Sequence, residues 1–319
     1  MPSASQVVKE NVISIKTSKW GLIKRDLIRN KLLYIMILPV LAYYIIFYYV
    51  PMYGAQIAFK NFSVGKGIWG SSWAGLKYFK EFMNSYYAWR IIRNTFLINI
   101  LDVTFGFPAP IIFALLLNEI KRVKFKRVIQ TITYMPHFIS IMVISGLIID
   151  FMSRDGLVNQ VMSNFGNQPI QFMVKQEWFR TIFVGSGIWQ HVGWGTIIYL
   201  AALSGIDSAL YEAAMLDGAG RWKQMVHVTL PGIAPTIIIL LILRLGQMMS
   251  VGSEKILLLY NPSTYETADV ISTFVYRKGL LESNYSYSSA VGLFNSVINF
   301  IILLSANKIS KKLTETSLW

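Results

Sequence analysis

Tyr211-Glu212-Ala213-Ala214-Met215-Leu216-Asp217-Gly218-Ala219-Gly220-Arg221-Trp222, running on to Val228-Thr229-Leu230-Pro231, is the stretch on which the reading of this chain turns. Glu212, Ala213 and Ala214 favour a short helix, because alanine gives up no side-chain entropy in one and glutamate gives up little. Gly218 and Gly220 permit a sharp turn, since glycine reaches positive φ without a Cβ clash. Residues 221–228 suit a second short helix, and Pro231 suits the first turn of the next element, where its missing N–H is no loss. Such a helix–turn–helix is a compact protrusion. Its alanines let a partner approach closely, and its exposed carboxylate can pair with a partner's cation.

Working outward, the residues after Pro231 are almost wholly apolar, and similar runs recur along all 319 residues. The chain is 54% apolar and 14% charged, against roughly 45–50% and about 25% in soluble domains. Its charges gather between long uncharged stretches, the pattern of a polytopic membrane protein. Six segments can cross a hydrocarbon core, which needs about 20 helical residues. They lie near 32–50, 95–118, 128–152, 181–204, 229–250 and 288–306. The connecting segments alternate in basic content: 1–31, 119–127, 205–228 and 307–319 hold 17 Lys/Arg, whereas the longer 51–94, 153–180 and 251–287 hold 12. Loop 119–127 is the clearest, with Lys121, Arg122, Lys124, Lys126 and Arg127 close together. Cations near span ends resist translocation, so both termini and the 205–228 loop are expected on the cytoplasmic side of the membrane.

The fold class this implies is an all-α integral membrane protein in one domain: a tail at 1–31, six spans over 32–306, and a tail at 307–319. In the first tail, Trp20, Ile23, Leu27 and Ile28 recur at helical spacing, with Lys24, Arg25, Arg29 and Lys31 largely elsewhere. This fits an interfacial helix on anionic lipid headgroups or a basic flank that only fixes orientation. The formal charge of +14 follows from the same orientation rule, so no nucleic-acid partner is expected. There is no cysteine, which excludes disulfides and thiolate metal sites. His137, His191 and His227 are widely separated and have no ligand spacing. No Gly-x-x-x-x-Gly-Lys-Ser/Thr run and no Gly-x-Ser-x-Gly run occurs, so neither nucleotide hydrolysis nor a catalytic centre is expected here.

Glu-Ala-Ala, three residues, glycine, nine residues, an aliphatic, one residue and Leu-Pro is met at Glu212, Ala213, Ala214, Gly218, Val228, Leu230 and Pro231. This resembles the docking signature of binding-protein-dependent ABC importer permeases, with valine where isoleucine is commoner. Pro51-Met52-Tyr53-Gly54, Gly75-Leu76-Lys77-Tyr78-Phe79, Tyr134-Met135-Pro136-His137-Phe138-Ile139-Ser140, Asp155-Gly156-Leu157-Val158-Asn159 and Ala290-Val291-Gly292-Leu293-Phe294-Asn295-Ser296 resemble the carbohydrate subgroup that handles complex oligosaccharides. The resemblance implies a type I importer permease fold and a coupling helix within 205–228. It implies a second homologous permease, two ATPase subunits that bind ATP and magnesium, an extracellular sugar-binding lipoprotein, and an oligosaccharide substrate. No cofactor is implied in this chain. Glu212, Ala213, Ala214, Asp217, Gly218, Arg221, Leu230 and Pro231 would form the ATPase-coupling surface.

Polar residues inside spans are costly and mark function by default. Arg244, with Gln247 three residues on, suits the carboxylate of an acidic sugar or sugar hydroxyls, a structural ion pair to Asp102 or Asp150, or a reach to the outer interface. Trp189, Gln190 and Trp194 suit stacking and hydrogen bonding on a sugar ring. The neighbouring Gly193 and Gly195 equally suit close helix packing with the tryptophans facing lipid. Asn295 and Asn299, one turn apart, suit either substrate or a neighbouring helix. The segments expected outside carry a net charge of +5, which suits an acidic, polysaccharide-derived oligosaccharide and equally suits contact with an acidic binding protein or wall polymer. The rival class is an ion-driven secondary transporter, which would need no docking signature.

Overall fold

The computed structural model describes residues 19–314 and 317–318. Among these the chain is helical apart from turns and one isolated bridge between Lys60 and Trp73. It divides into two units, 1–55 and 56–319.

In the first unit, α1 (Lys19–Arg29) and α2 (Lys31–Tyr44) flank Asn30. Asp26 ties this junction, accepting from the Asn30 side chain at 2.7 Å and the Tyr34 hydroxyl at 2.6 Å. Trp20, Ile23, Leu27 and Ile28 are all exposed on α1, as an amphipathic surface helix requires. α2 continues through a π-helical turn (Ile45–Tyr49), and its apolar side chains are likewise exposed.

The second unit is built on α3 (Tyr86–Leu101), α4 (Pro108–Asn118), α5 (Val123–Tyr134), α6 (Ile141–Phe151), α7 (Gln176–Ser204), α8 (Ser208–Leu216), α9 (Leu230–Leu245), α10 (Ser253–Leu259), α11 (Ile271–Tyr276) and α12 (Tyr285–Thr314). α3 and α4 are one continuous helical run, Tyr86–Asn118, joined by a π turn at Asp102–Gly106. By length and composition, four helical runs among the described residues can cross a membrane, or six if two bent pairs each count as a span. At most 17% of the apolar window in any of the four is buried, so their greasy faces are left for lipid or partner helices rather than a core.

The helices depart from the expected segments at three places. The third apolar segment, 128–152, is not one straight helix. α5 and α6 meet at 102°, because Pro136 tightens the chain into a 3₁₀ turn (Met135–Phe138) and Ser140 caps a new helix by accepting from the Val143 amide. The second helix begins at Tyr86, nine residues before the expected 95. Its polar Asn94 and Thr95 are buried but bonded: the Thr95 hydroxyl donates to the Ile91 carbonyl at 2.7 Å. The fifth helix stops at Leu245 rather than near 250, closing in a turn where Ser250 N–H reaches the Gln247 carbonyl at 2.8 Å.

Three apolar clusters position the site. Ile98, Ile148, Phe179, Ile182 and Ile256 join α3, α6, α7 and α10. Phe82, Ile91, Phe274 and Val291 join α3, α11 and α12. Ile111, Ala114, Tyr199, Leu203 and Ile233 join α4, α7 and α9. The segment 261–277 is held by charge. The fully buried Asp269 carboxylate accepts from Arg277 at 2.7 Å and lies 3.5 Å from Arg90.

Candidate functional site

The protrusion is built by local chemistry. The Asp207 carboxylate caps α8 by accepting from the Ala209 amide at 2.9 Å. α8 leaves α7 at 70° and ends where Gly218 takes φ +74. There the Gly218 N–H bonds the Met215 carbonyl and the Ala219 N–H bonds the Ala214 carbonyl, a Schellman closure that needs a left-handed residue. The Gln224 amide then clips the Ala219 carbonyl at 2.7 Å. Residues 221–245 form one helical run through a π turn at Met225–Thr229, with Pro231 in the first turn of α9. The Tyr211 hydroxyl lies 3.0 Å from the Thr229 hydroxyl and ties α8 back to this helix.

What this hook presents is exposed. Leu216 is 90% and Trp222 72% accessible, and Glu212, Ala213 and Asp217 are exposed too. Glu212 joins none of the ion pairs among the described residues, so its carboxylate is available. Arg221 sits 3.7 Å from Glu119, so the protrusion and the basic loop 119–127 lie at the same end of the helices.

A second polar locus lies between the π turn at 102–106 and α7. A cavity of about 290 Å³ is lined by Asp102, Gly106, Phe107, Gly187, His191 and Arg244, among others. Arg244 donates to the Asp102 carboxylate across this cavity. His191 Nδ1 lies 3.1 Å from His137 Nδ1, and the His137 ring stacks on Trp194 at 4.6 Å. His137 and His191 are therefore neighbours in space despite their wide separation in the sequence. The 3₁₀ turn at Pro136 swings His137 against α7, 54 residues away in the chain. Among the described residues no cluster of three metal-binding side chains occurs.

The candidates on α7 diverge. Trp189 faces a separate, apolar cavity of about 540 Å³ shared with Leu147, Met162 and Phe172. Gln190 is buried, and its side-chain oxygen has no partner. Trp194 packs on His137 and Phe138. Close packing explains the glycines, since a Cβ on Gly193 would fall 2.2 Å from the Thr133 carbonyl oxygen. Within this chain the two tryptophans and Gln190 thus form no common stacking site. Of the readings of Arg244, the ion pair to Asp102 is present, and the pair still lines the cavity. Gln247 is exposed in the turn after α9. Asn299 packs, accepting from the Met249 amide at 2.7 Å and donating to Ser250, while the Asn295 carbonyl oxygen is buried without a partner.

The residue that sequence reasoning missed is Lys255 on α10. It is 7% exposed, and its ammonium donates to the Phe183 carbonyl at 3.1 Å and sits 5.0 Å from the Phe183 ring centre. Burial lowers it from the ordinary 10.5 to about 8.

An all-helical chain with several membrane-length helices, a capped surface hook and a polar cavity has the make-up of a membrane transport subunit. The family described as binding-protein-dependent transport system inner membrane component matches residues 106–315, and this chain belongs to that family. It is 44% identical over 292 residues to protein LplB of Bacillus subtilis, covering 91% of this chain and 92% of that one. It is 40% identical over 316 residues to the polygalacturonan/rhamnogalacturonan transport system permease protein YteP of the same organism, covering 99% and 98%. Among solved structures, a bacterial ABC transporter involved in the import of the acidic polysaccharide alginate contains a chain that superposes with a TM-score of 0.86 at 44% identity, covering 92% of this chain and 99% of that one. The same TM-score and identity hold for a bacterial alginate ABC transporter in complex with an alginate pentasaccharide-bound periplasmic protein, over 94% of this chain and 99% of that one.

Proposed function

We propose that this chain forms half of the membrane pathway of an ATP-driven importer for acidic oligosaccharides derived from polysaccharide. A second permease of the same family forms the other half. Two ATPase subunits sit beneath, binding ATP and magnesium, and an extracellular sugar-binding protein delivers the substrate. The hook at 205–228, the basic loop 119–127 and both termini lie on the cytoplasmic side, where lysine and arginine resist translocation.

The observation that carries this reading is the hook itself. Glu212 is exposed and unpaired on a helix locked at both ends by the Asp207 cap and the Gly218 closure. Leu216 and Trp222 beside it offer apolar surface to a groove. A part stiff enough to transmit a push must resist deformation itself, and this one has internal bonds at its start, its turn and its base. Closure of the ATPases on ATP would displace the hook, and α7 and α9, which carry it, would switch the cavity between its two exposures. Support for the substrate class comes from the names of the relatives and neighbours, which handle polygalacturonan, rhamnogalacturonan and alginate.

Glu212→Lys tests the coupling. In the importer reconstituted with its ATPase and loaded binding protein, the variant is expected to insert and assemble normally, yet to lose at least tenfold in stimulated ATP hydrolysis and uptake. Undiminished stimulation and uptake would remove the docking role.

A further inference from the structure

Lys255 is an expensive residue to place where it lies. A buried ammonium loses its hydration, so buried charges are normally matched by an opposite charge. Lys255 has none: no carboxylate lies within 4 Å of it among the described residues, and its partners are a neutral carbonyl and an aromatic face, both from Phe183. Glu254, its neighbour in sequence, is exposed and makes no ion pair with it. An ammonium has three donors, and one carbonyl uses one of them. Simple packing does not require a lysine here, since Ile256 and Leu259 of the same helix fill the apolar cluster on their own.

Its location explains the cost. The Nζ lies 3.7 Å from the position a Cβ would occupy on Gly187. Gly187 lines the 290 Å³ cavity, with His191 one turn further along α7 and the Arg244–Asp102 pair facing it. That pair is neutral as a unit, and the one uncompensated positive charge nearby, Lys255, stands behind the cavity wall at Gly187, a residue with no side chain to block it. A lysine head on a flexible four-carbon stem can turn from the Phe183 carbonyl past Gly187 toward a ligand.

We propose that Lys255 is a specificity-determining residue, whose ammonium pairs with a carboxylate of an acidic sugar held in the cavity beside Arg244 and Asp102. It rests on the reading of the chain as an importer permease for acidic oligosaccharides, and it assigns the charge recognition to a residue outside the long apolar helices. Arg244 is already engaged by Asp102 and is not free to serve. A neutral sugar would leave Lys255 in its present unmatched state, whereas a uronate would supply the missing counter-charge in a site of low dielectric, where such a pair is strong.

The test uses the assembled importer in nanodiscs without its binding protein, so that selection by that protein does not intervene. Binding of trigalacturonate and of its fully methyl-esterified form is measured by calorimetry for the wild type, Lys255→Met and Lys255→Arg. The wild type is expected to bind the acid at least tenfold more tightly than the ester. Lys255→Met is expected to bind both alike, and Lys255→Arg to keep the preference. Gly187→Val, which leaves Lys255 in place but fills the gap it reaches through, is expected to reduce the preference as well, and it stands as the test should Lys255→Met fail to assemble. Retention of the wild-type preference in Lys255→Met, or in Gly187→Val where the methionine variant does not assemble, overturns the assignment. So does a wild type that binds acid and ester equally. Stimulation of ATP hydrolysis by the loaded binding protein is followed in parallel: if it persists while selectivity fails, the importer reading stands and only the Lys255 site falls.

Discussion

Removing either member of the Arg244–Asp102 pair should cost more than removing both. Asp102→Asn deletes a charge at constant shape, and Arg244→Gln deletes the opposite one while keeping a polar, though shorter, side chain. The cost comes from what remains, an unpaired ion between helices. Breaking a fully buried pair from one side costs about 3–5 kcal/mol, and a surface pair contributes about 0–1 kcal/mol. Here the side chains are 38% and 26% exposed, toward the cavity. Discounting for that exposure places each single variant at about 2 kcal/mol, or roughly thirtyfold in the folding equilibrium. The double variant leaves no orphaned charge and should return to within about 1 kcal/mol of the wild type. Equilibrium unfolding in mixed micelles, read through all four corners of the mutant cycle, measures the coupling. If the two losses simply add in the double variant, the two residues are not mutual charge partners and the account of the pair as neutral fails.

Other expectations follow from single features. Gly218→Ala forces a Cβ into φ +74, costs about 1 kcal/mol, and should reduce stimulated ATP hydrolysis without reducing membrane insertion. Gly193→Ala sets a Cβ 2.2 Å from the Thr133 carbonyl oxygen. It should separate α5 from α7 at a cost of about 3 kcal/mol, visible as a lost monodisperse peak on size exclusion. The pH dependence of ligand binding has a definite sign. The Lys255 ammonium, lowered to about 8, is charged below that pH and neutral above it, so the preference for trigalacturonate over its ester should fade between pH 7 and 9. His191, Arg244 and Asp102 face the same site from neighbouring elements, so the control is Lys255→Arg, in which the preference should persist at pH 9.

The hook was readable because everything that makes it is local. Alanines and a glutamate start a helix, a glycine turns it, and a proline opens the next, all within twenty-five residues. The apolar runs were equally plain, since hydrocarbon length sets a minimum that few other structures need. Their ends were not. Asn94 and Thr95 look like a boundary by composition, yet their side chains bond backbone carbonyls and the helix passes through them. The break between α5 and α6 was written in Pro136 and Ser140 but hidden by the apolar residues on either side. Lys255 beside Glu254 reads as a solvated pair, and only the packing of α10 against α6 and α7 takes one of the two out of water. The His137–His191 contact spans 54 residues and could emerge only from the tertiary fold. Arg244 was readable as an ion pair or a substrate contact, and the choice required knowing that Asp102 lay opposite.

The wide turn at Asp102–Gly106 has a consequence for how this helix tolerates change. Its Phe107 amide bonds the Asp102 carbonyl, one residue further back than an α-helix would reach. The segment therefore carries one surplus residue, and each residue of an α-helix advances the facing direction by about 100°. Losing a single residue from 103–106 would let the strand of hydrogen bonds close normally and leave the helix intact to the eye. The wider winding of the π turn already absorbs that residue, so the helix beyond would keep nearly its facing direction and only the bulge beside Asp102 would be lost. Chain length at this spot thus shapes the cavity lining at Asp102, Gly106 and Phe107 without turning the helix beyond it.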